Sequence, residues 1–253
     1  MEAVYERKQI IAPSMCDASG RIALSAAFAL FQDVASEHAE ELGVGFQDMA
    51  RRGAFWLTVR TRVHFYRRPA LMQAVDVRTW PAAPGSTRCD RFYRMSAQGQ
   101  TLIEGRTEWC VYDLAAKAVR PLAEAGFREG LVYSDEKALD APYARFRHDF
   151  TDGDRVAGDA VRPSDVDVGR HMNNVAYLRL LADSFGVEEM ERMRVEEMEI
   201  LFCMPCFEGE ELDVLRRRTQ TGYEFGVRRP DGRYAALALM RMEEETRVRS
   251  VLD

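Results

Sequence analysis

The stretch Arg162-Pro163-Ser164-Asp165-Val166-Asp167-Val168-Gly169-Arg170-His171-Met172-Asn173-Asn174-Val175-Ala176-Tyr177-Leu178 decides how this chain is read, because it has a degenerate twin near the N-terminus. In Ser14-Met15-Cys16-Asp17-Ala18-Ser19-Gly20-Arg21, Ser14 and Asp17 stand 150 residues before Ser164 and Asp167. Each segment leads into an apolar run that carries an aspartate: FALFQD ending at Asp33 and LRLLAD ending at Asp183, again 150 apart. Two more matches follow in the same order. HFYRRPALMQAVDV ends at Val77 and LFCMPCFEGEELDV at Val214, an offset of 137; RMSAQGQT around Gly99 pairs with VRRPDGRY around Gly232, an offset of 133. Matches that keep their order while the offset shrinks indicate a duplication with deletions in the second copy.

Each copy reads as one helix followed by antiparallel strands. Leu30 and Val34, and Phe31 and Ala35, fall at helical spacing, with Gln32, Asp33, Glu37, Glu40 and Glu41 on the polar side and Gly43 and Gly45 as the stop. Leu57 to Phe65 and Ile103 to Val111 alternate with the period of a strand. In the second copy Asn173-Asn174 supplies an N-cap, and Val175, Leu178, Leu181, Ala182 and Phe185 form the apolar stripe. Strands are predicted around 198–204, 212–216, 223–228 and 234–242, with Pro230-Asp231-Gly232 as a turn. The mixed segment from about Ala115 to Asp159 reads as a connection; the repeats are drawn at 1–130 and 155–253, with 131–154 between them. The fold class is therefore α+β, with two curved sheets free to join edge to edge and hide their edges.

Composition narrows the field. With 253 residues, 47% hydrophobic and 30% charged, the chain is neither disordered nor collagen-like. No run approaches the roughly 18 apolar residues that span a bilayer, and MEAVYERKQIIAPS has no signal-like core, which suggests a cytoplasmic protein. Five cysteines suit reduced thiols better than a disulfide framework. A net charge of −6 speaks against nucleic acid as a partner, although Arg67-Arg68, Arg216-Arg217-Arg218 and Arg228-Arg229 are local basic clusters, read either as solvated strand faces or as phosphate or carboxylate ligands. Cys203-Met204-Pro205-Cys206 is a lone CxxC on a predicted strand and carries no metal or redox assignment. His38, His64 and His148 are expected at the surface or partly satisfied.

The chemistry lies in the opening stretch. Asp167 and His171 precede a helix N-terminus, whose free N–H groups attract negative charge. That suits acyl transfer, in which a carbonyl oxygen gains negative charge under attack, a carboxylate acts as nucleophile or base, and an imidazole moves a proton. The first copy keeps Asp17 but has Arg21 in place of His171 and Ala23-Leu24 in place of Asn173-Asn174, so only the second copy holds the full constellation.

Ser164, Asp165, Asp167, His171, Asn173, Asn174 and Tyr177 fall on the signature S-D-x-D-x-N-x-H-V-N-N-x-x-Y, and the chain resembles the acyl-[acyl-carrier-protein] thioesterases of plants and bacteria. LFQDVASEHAEELG, FWLTVRTRVHFYRRPALMQAVDVRTWP and RTEWCVYDLAAKAVRPL resemble that family's opening repeat. The resemblance implies a tandem (double) hot-dog fold, each repeat a helix wrapped by a curved antiparallel sheet. It also implies cofactor-free and metal-free release of a fatty acid from acyl carrier protein in fatty acid biosynthesis, with an acyl tunnel in the N-terminal repeat and catalysis in the C-terminal one. By position, Asp167 and His171 would be catalytic, with Asn173, Asn174 and Cys206 in a supporting or oxyanion region. Two positions depart from the pattern: Gly169 stands for the signature's asparagine, and Pro205, before Cys206, stands where the family has an acidic residue. Backbone donors, Asn173 or Glu208 are the candidate substitutes. An acyl-CoA thioesterase, a non-catalytic acyl-binding protein and, ranked lower, a hot-dog hydratase are the alternatives. A homodimer is an open option.

Overall fold

The computed structural model describes residues 3–242. In the first half it places β1 (Tyr5–Ile10), α1 (Leu24–Glu41), α2 (Phe46–Arg51), β2 (Ala54–Phe65), β3 (Ala74–Pro81), β4 (Cys89–Ala97), β5 (Gln100–Asp113) and β6 (Ala118–Arg120). The second half holds β7 (Arg155–Ala160), α3 (Asn174–Ala182), α4 (Val187–Arg192), β8 (Val195–Phe202), β9 (Glu211–Thr219), β10 (Gly222–Arg228) and β11 (Tyr234–Met242). The strands form one antiparallel sheet in the order β1-β3-β4-β5-β2-β8-β11-β10-β9-β7, with β6 paired to the end of β5. The order reads as one five-stranded pattern followed by its mirror image. The halves meet where Thr61 faces Ile200 and Val63 faces Met198, so the two open edges that the duplication would leave close on each other.

Both helices lie on the same face of the sheet and share one core. Phe28, Phe31 and Val34 of α1 are buried in a single cluster with Tyr177, Leu178 and Leu181 of α3 and with Ile200 and Phe225 of the second half-sheet. Asp33, Glu40 and Glu41 on the polar side of α1 are exposed, whereas Gln32 lines a cavity, and Gly43, in the left-handed region at φ 72°, ends the helix by donating to Glu40 O. The two helices differ in length: α1 has 18 residues and α3 has nine. Phe185, expected on the helical stripe, lies beyond the end of α3 and packs its ring against Tyr223 and Phe225. Among the described residues no helix is long and apolar enough to cross a membrane.

The connection between the halves is a strap across the outer face of the sheet. Trp80 Nε1 donates to Glu136 O at 2.7 Å, and Arg78 and Arg94 pair with the Glu136 carboxylate. Arg62 donates to Ala141 O and Pro142 O. Arg60 and Arg106 each lie 4.4 Å from the Tyr143 ring centre, a cation–π clamp. Ala144 N donates to Glu199, which is 1% exposed, and burial pushes the Glu199 carboxyl above its ordinary range. One or more members of each basic cluster are paired in the same way: Arg68 with Asp17, Arg217 with Asp149 and Asp154, Arg228 with Asp213 and Asp152, and Arg229 with Glu210, while Arg67 and Arg218 are exposed.

Candidate active site

Backbone geometry holds Asp167 and His171 side by side. Pro163–Asp165 form one 3₁₀ turn, Asn173 N donates to Asp165 O at 2.7 Å, and Val166 and Met172 make an isolated β-bridge. Inside that bridge Asp167 N donates to His171 O at 3.0 Å, and Arg170 N returns to Asp167 O at 3.0 Å. The two side chains therefore leave neighbouring points of a closed turn. His171 Nδ1 stands 3.8 Å from Asp167 Oδ1, which is an electrostatic contact and too long for a hydrogen bond. Asp167 Oδ1 accepts from Gly169 N at 2.8 Å.

Both side chains close in over Gly169, which has no Cβ to meet them. A Cβ at this position would lie 2.9 Å from His171 Nε2 and 3.0 Å from Asp167 Oδ1. Any larger residue in this backbone conformation requires the imidazole or the carboxylate to move.

The twin loop repeats the backbone without the site. Cys16 and Ile22 make the equivalent bridge, Asp17 N donates to Arg21 O, and Gly20 N returns to Asp17 O. Ile22 N donates to Pro69 O where Met172 N donates to Cys206 O. This shared bond places Arg68, the residue before Pro69, at the station of Pro205, the residue before Cys206. In the first half Arg68 forms an ion pair with Asp17, which also accepts from Ser19. In the second half Pro205 offers no cation, and Asp167 faces the imidazole instead.

The asparagines divide their work. Asn173 is the N-cap of α3, its side-chain oxygen accepting from Val175 N at 2.7 Å, whereas Ala23, its twin, gives α1 no side-chain cap. Asn174 lines the cavity described below. Cys206 is fully buried and not among that cavity's lining residues; burial pushes its thiol up to about 11. That thiol is a poor nucleophile at neutral pH. Glu208 is exposed and also absent from the lining.

Asp167, Gly169, His171 and Asn174 stand at one wall of a cavity of about 270 Å³ whose other walls belong to the first half. Ala35 and Ala39 of α1, Met49 of α2, Trp56 and Thr58 of β2, Trp109 of β5, Cys89 and Arg91 of β4, Pro81 of β3 and Phe127 enclose it. The lining is mostly apolar and suits a hydrocarbon chain. The sequence does not single out Arg91, and it predicts His38 at the surface or partly satisfied. His38 is 1% exposed; burial and the Arg91 guanidinium push its pKa down to about 3.

A helix held by a curved sheet, built twice and fused edge to edge, defines a tandem hot-dog protein, with its polar loop in one repeat and its apolar chamber in the other. The family model described as the acyl-ACP thioesterase N-terminal domain matches residues 2–126, and the corresponding C-terminal domain matches residues 152–239. The chain belongs to the acyl-ACP thioesterase family. It is 25% identical over 229 residues to the chloroplastic palmitoyl-acyl carrier protein thioesterase of Arabidopsis thaliana, covering 86% of this chain and 55% of that protein. It is 23% identical over 206 residues to oleoyl-acyl carrier protein thioesterase 1 of the same plant, covering 75% and 57%. The chain thus spans little more than half the length of these curated relatives. Among solved structures, an acyl-ACP thioesterase from Bacteroides thetaiotaomicron superposes with a TM-score of 0.84 at 19% identity, covering 95% of this chain and 98% of that one. The 12:0-ACP thioesterase from Umbellularia californica gives 0.81 at 17%, covering 95% and 97%. At these identities the superpositions speak for the fold alone.

Proposed function

We propose that this protein is a cytoplasmic thioester hydrolase that releases a fatty acid from acyl carrier protein in fatty acid biosynthesis. Residues 1–130 would form the acyl tunnel and residues 155–253 the catalytic repeat. The observation that carries the reading is the single cavity that has Asp167 and His171 in one wall and an apolar chamber from the other repeat behind them. In this reading a water lies in the cavity beside Asp167 and His171. Asp167 takes a proton from it as its oxygen bonds to the thioester carbonyl carbon. The positive end of α3, whose Val175 and Ala176 amides are already taken by Asn173, attracts the negative charge that develops on the carbonyl oxygen beside Asn174. As the C–S bond breaks, the proton that Asp167 took passes through His171 to the departing thiolate. A thioester is reactive enough that positioning and one base suffice without a third side chain.

The test follows thiol release from medium-chain and long-chain acyl thioesters with Asp167→Asn and His171→Ala. Unchanged turnover in both would remove the assignment. An acyl-CoA thioesterase is the second reading, favoured by one observation: of the clustered arginines, Arg68, Arg217, Arg228 and Arg229 are engaged by internal carboxylates, which leaves fewer cations to attract an acidic carrier protein. Rates that ignore ionic strength, with no preference for the carrier over coenzyme A, would select it.

A further inference from the structure

Cys89, Arg91, Tyr93 and Met95 alternate toward the helix side of β4, so an arginine stands in a row otherwise made for apolar contact. Arg91 is 7% exposed. Its Nη1 donates to His38 Nδ1 at 3.0 Å and to Thr79 Oγ1 at 3.3 Å, and no carboxylate pairs with it among the described residues. The outward-facing arginines of the same sheet are treated differently: Arg94 pairs with Glu104 and Arg106 with Asp90. Because burial and the adjacent guanidinium hold His38 neutral, that contact supplies an acceptor but no charge. A guanidinium does not lose its proton in a protein, so Arg91 is a buried cation without a counter-ion.

It also lines the cavity that runs from Asp167 and His171. The cavity's floor crosses four successive strands, with Thr58 on β2, Trp109 on β5, Arg91 on β4 and Pro81 on β3. That is a span of roughly 14 Å at the spacing of paired strands. Asn174 lies at the β2 end, where it shares a smaller pocket with Thr58 and Phe202. An acyl chain whose thioester sits at Asp167 therefore extends toward Arg91. A methyl end arriving there leaves the cation desolvated and unpaired, whereas a carboxylate end gives it a charge-assisted, two-pronged partner.

We infer that the cavity is selective for acyl groups that carry a carboxylate at the far end of the chain, with Arg91 as the residue that reads it. This rests on the thioesterase reading for the position of the thioester. The experiment compares the dodecanedioic half-thioester with the dodecanoyl thioester on the same carrier, and repeats the pair at shorter and longer lengths. In parallel, the thermal midpoint of the unmodified protein is measured with free dodecanedioic acid and with dodecanoic acid. The expected result is a kcat/KM for the best-fitting half-thioester about tenfold or more above its unsubstituted partner. Arg91→Met is expected to abolish that preference, Arg91→Lys to retain part of it, and the diacid to raise the midpoint more than the monoacid. A preference for unsubstituted chains at every length, or an unchanged ranking in Arg91→Met, overturns the inference while leaving the hydrolase reading intact. If neither thioester is cleaved but the diacid stabilises the protein and Arg91→Lys weakens that effect, the hydrolase reading falls and the inference stands. Should Arg91→Met fail to fold, the diacid comparison on the unmodified protein and Arg91→Lys decides.

Discussion

Asp17 and Asp167 sit on backbones that share the same turn, the same bridge and the same bond to the neighbouring strand connection, yet one is neutralised by Arg68 and the other faces His171 over Gly169. Duplication supplied the scaffold twice. Side chains at three stations divided the labour: Arg68 against Pro205, Arg21 against His171, Ala23 against Asn173. A loop can therefore keep its geometry while a few replacements decide whether its carboxylate is a strut or a reagent.

The contrast can be broken at its strongest point by exchanging the two aspartates' amides. Asp167→Asn is expected to lower the hydrolysis rate by about 10²-fold or more, the typical weight of a positioned base. Asp17→Asn should leave the rate unchanged and cost about 1 kcal/mol of stability, the scale of a half-exposed ion pair. Next in size is Pro205→Arg, which would bring the first half's cation to the second half's aspartate; a rate loss of about tenfold is expected with the fold intact by circular dichroism, since one pairing of that strength is worth about 1.4 kcal/mol. Full activity in this variant would show that the absence of a cation at position 205 is irrelevant to the site.

The buried His38–Arg91 contact of the first half sharpens the comparison through acid. The pKa of His38 lies near 3 in the folded protein against an ordinary 6.5, so between those values the unfolded chain holds a proton that the folded one lacks. Its contribution is complete above pH 6.5 and is lost as pH falls toward 3. The slope is at most about 1.4 kcal/mol per pH unit. Urea midpoints at pH 7, 5.5 and 4.5 should fall less steeply in His38→Gln than in the unaltered chain. The smallest effect is at the helix caps: Asn173→Ala should cost about 1 kcal/mol, and Ala23→Ser should return a fraction of that to α1. Equal responses to the two substitutions in thermal melts would erase the asymmetry assigned to the caps.

Much of this was legible in advance, for identifiable reasons. The repeat, the strand around Leu57 to Phe65 and the Asn173 cap stand where the sequence predicts, although a bulge between Thr58 and Arg60 breaks the strand's alternation and buries Thr58 rather than Val59. What could not be read was settled by tertiary partners. The strap around Tyr143 has no periodicity because carbonyls and one carboxylate, not an apolar stripe, attach it to the sheet. His38 looked like a polar residue on a helix surface until Arg91, 53 positions away, supplied its partner. The pairing of Arg68 with Asp17 was visible only as a basic cluster, and the closeness of Asp167 and His171 over Gly169 only as a departure from a motif.

The junction between the halves has a consequence for biosynthesis. Strand β2 finds β8 only after some 135 further residues have been made, since Arg62 and Glu197 stand that far apart. Until then a nascent first half presents one long unpaired strand flank to every other copy emerging nearby. Arg60, Arg62 and His64 interrupt its otherwise adhesive Leu-Val-Thr-Val-Phe pattern, and charge on an open flank discourages pairing with strangers. Arg60 and Arg62, which later clamp the strap, put charge on that flank while it is still open.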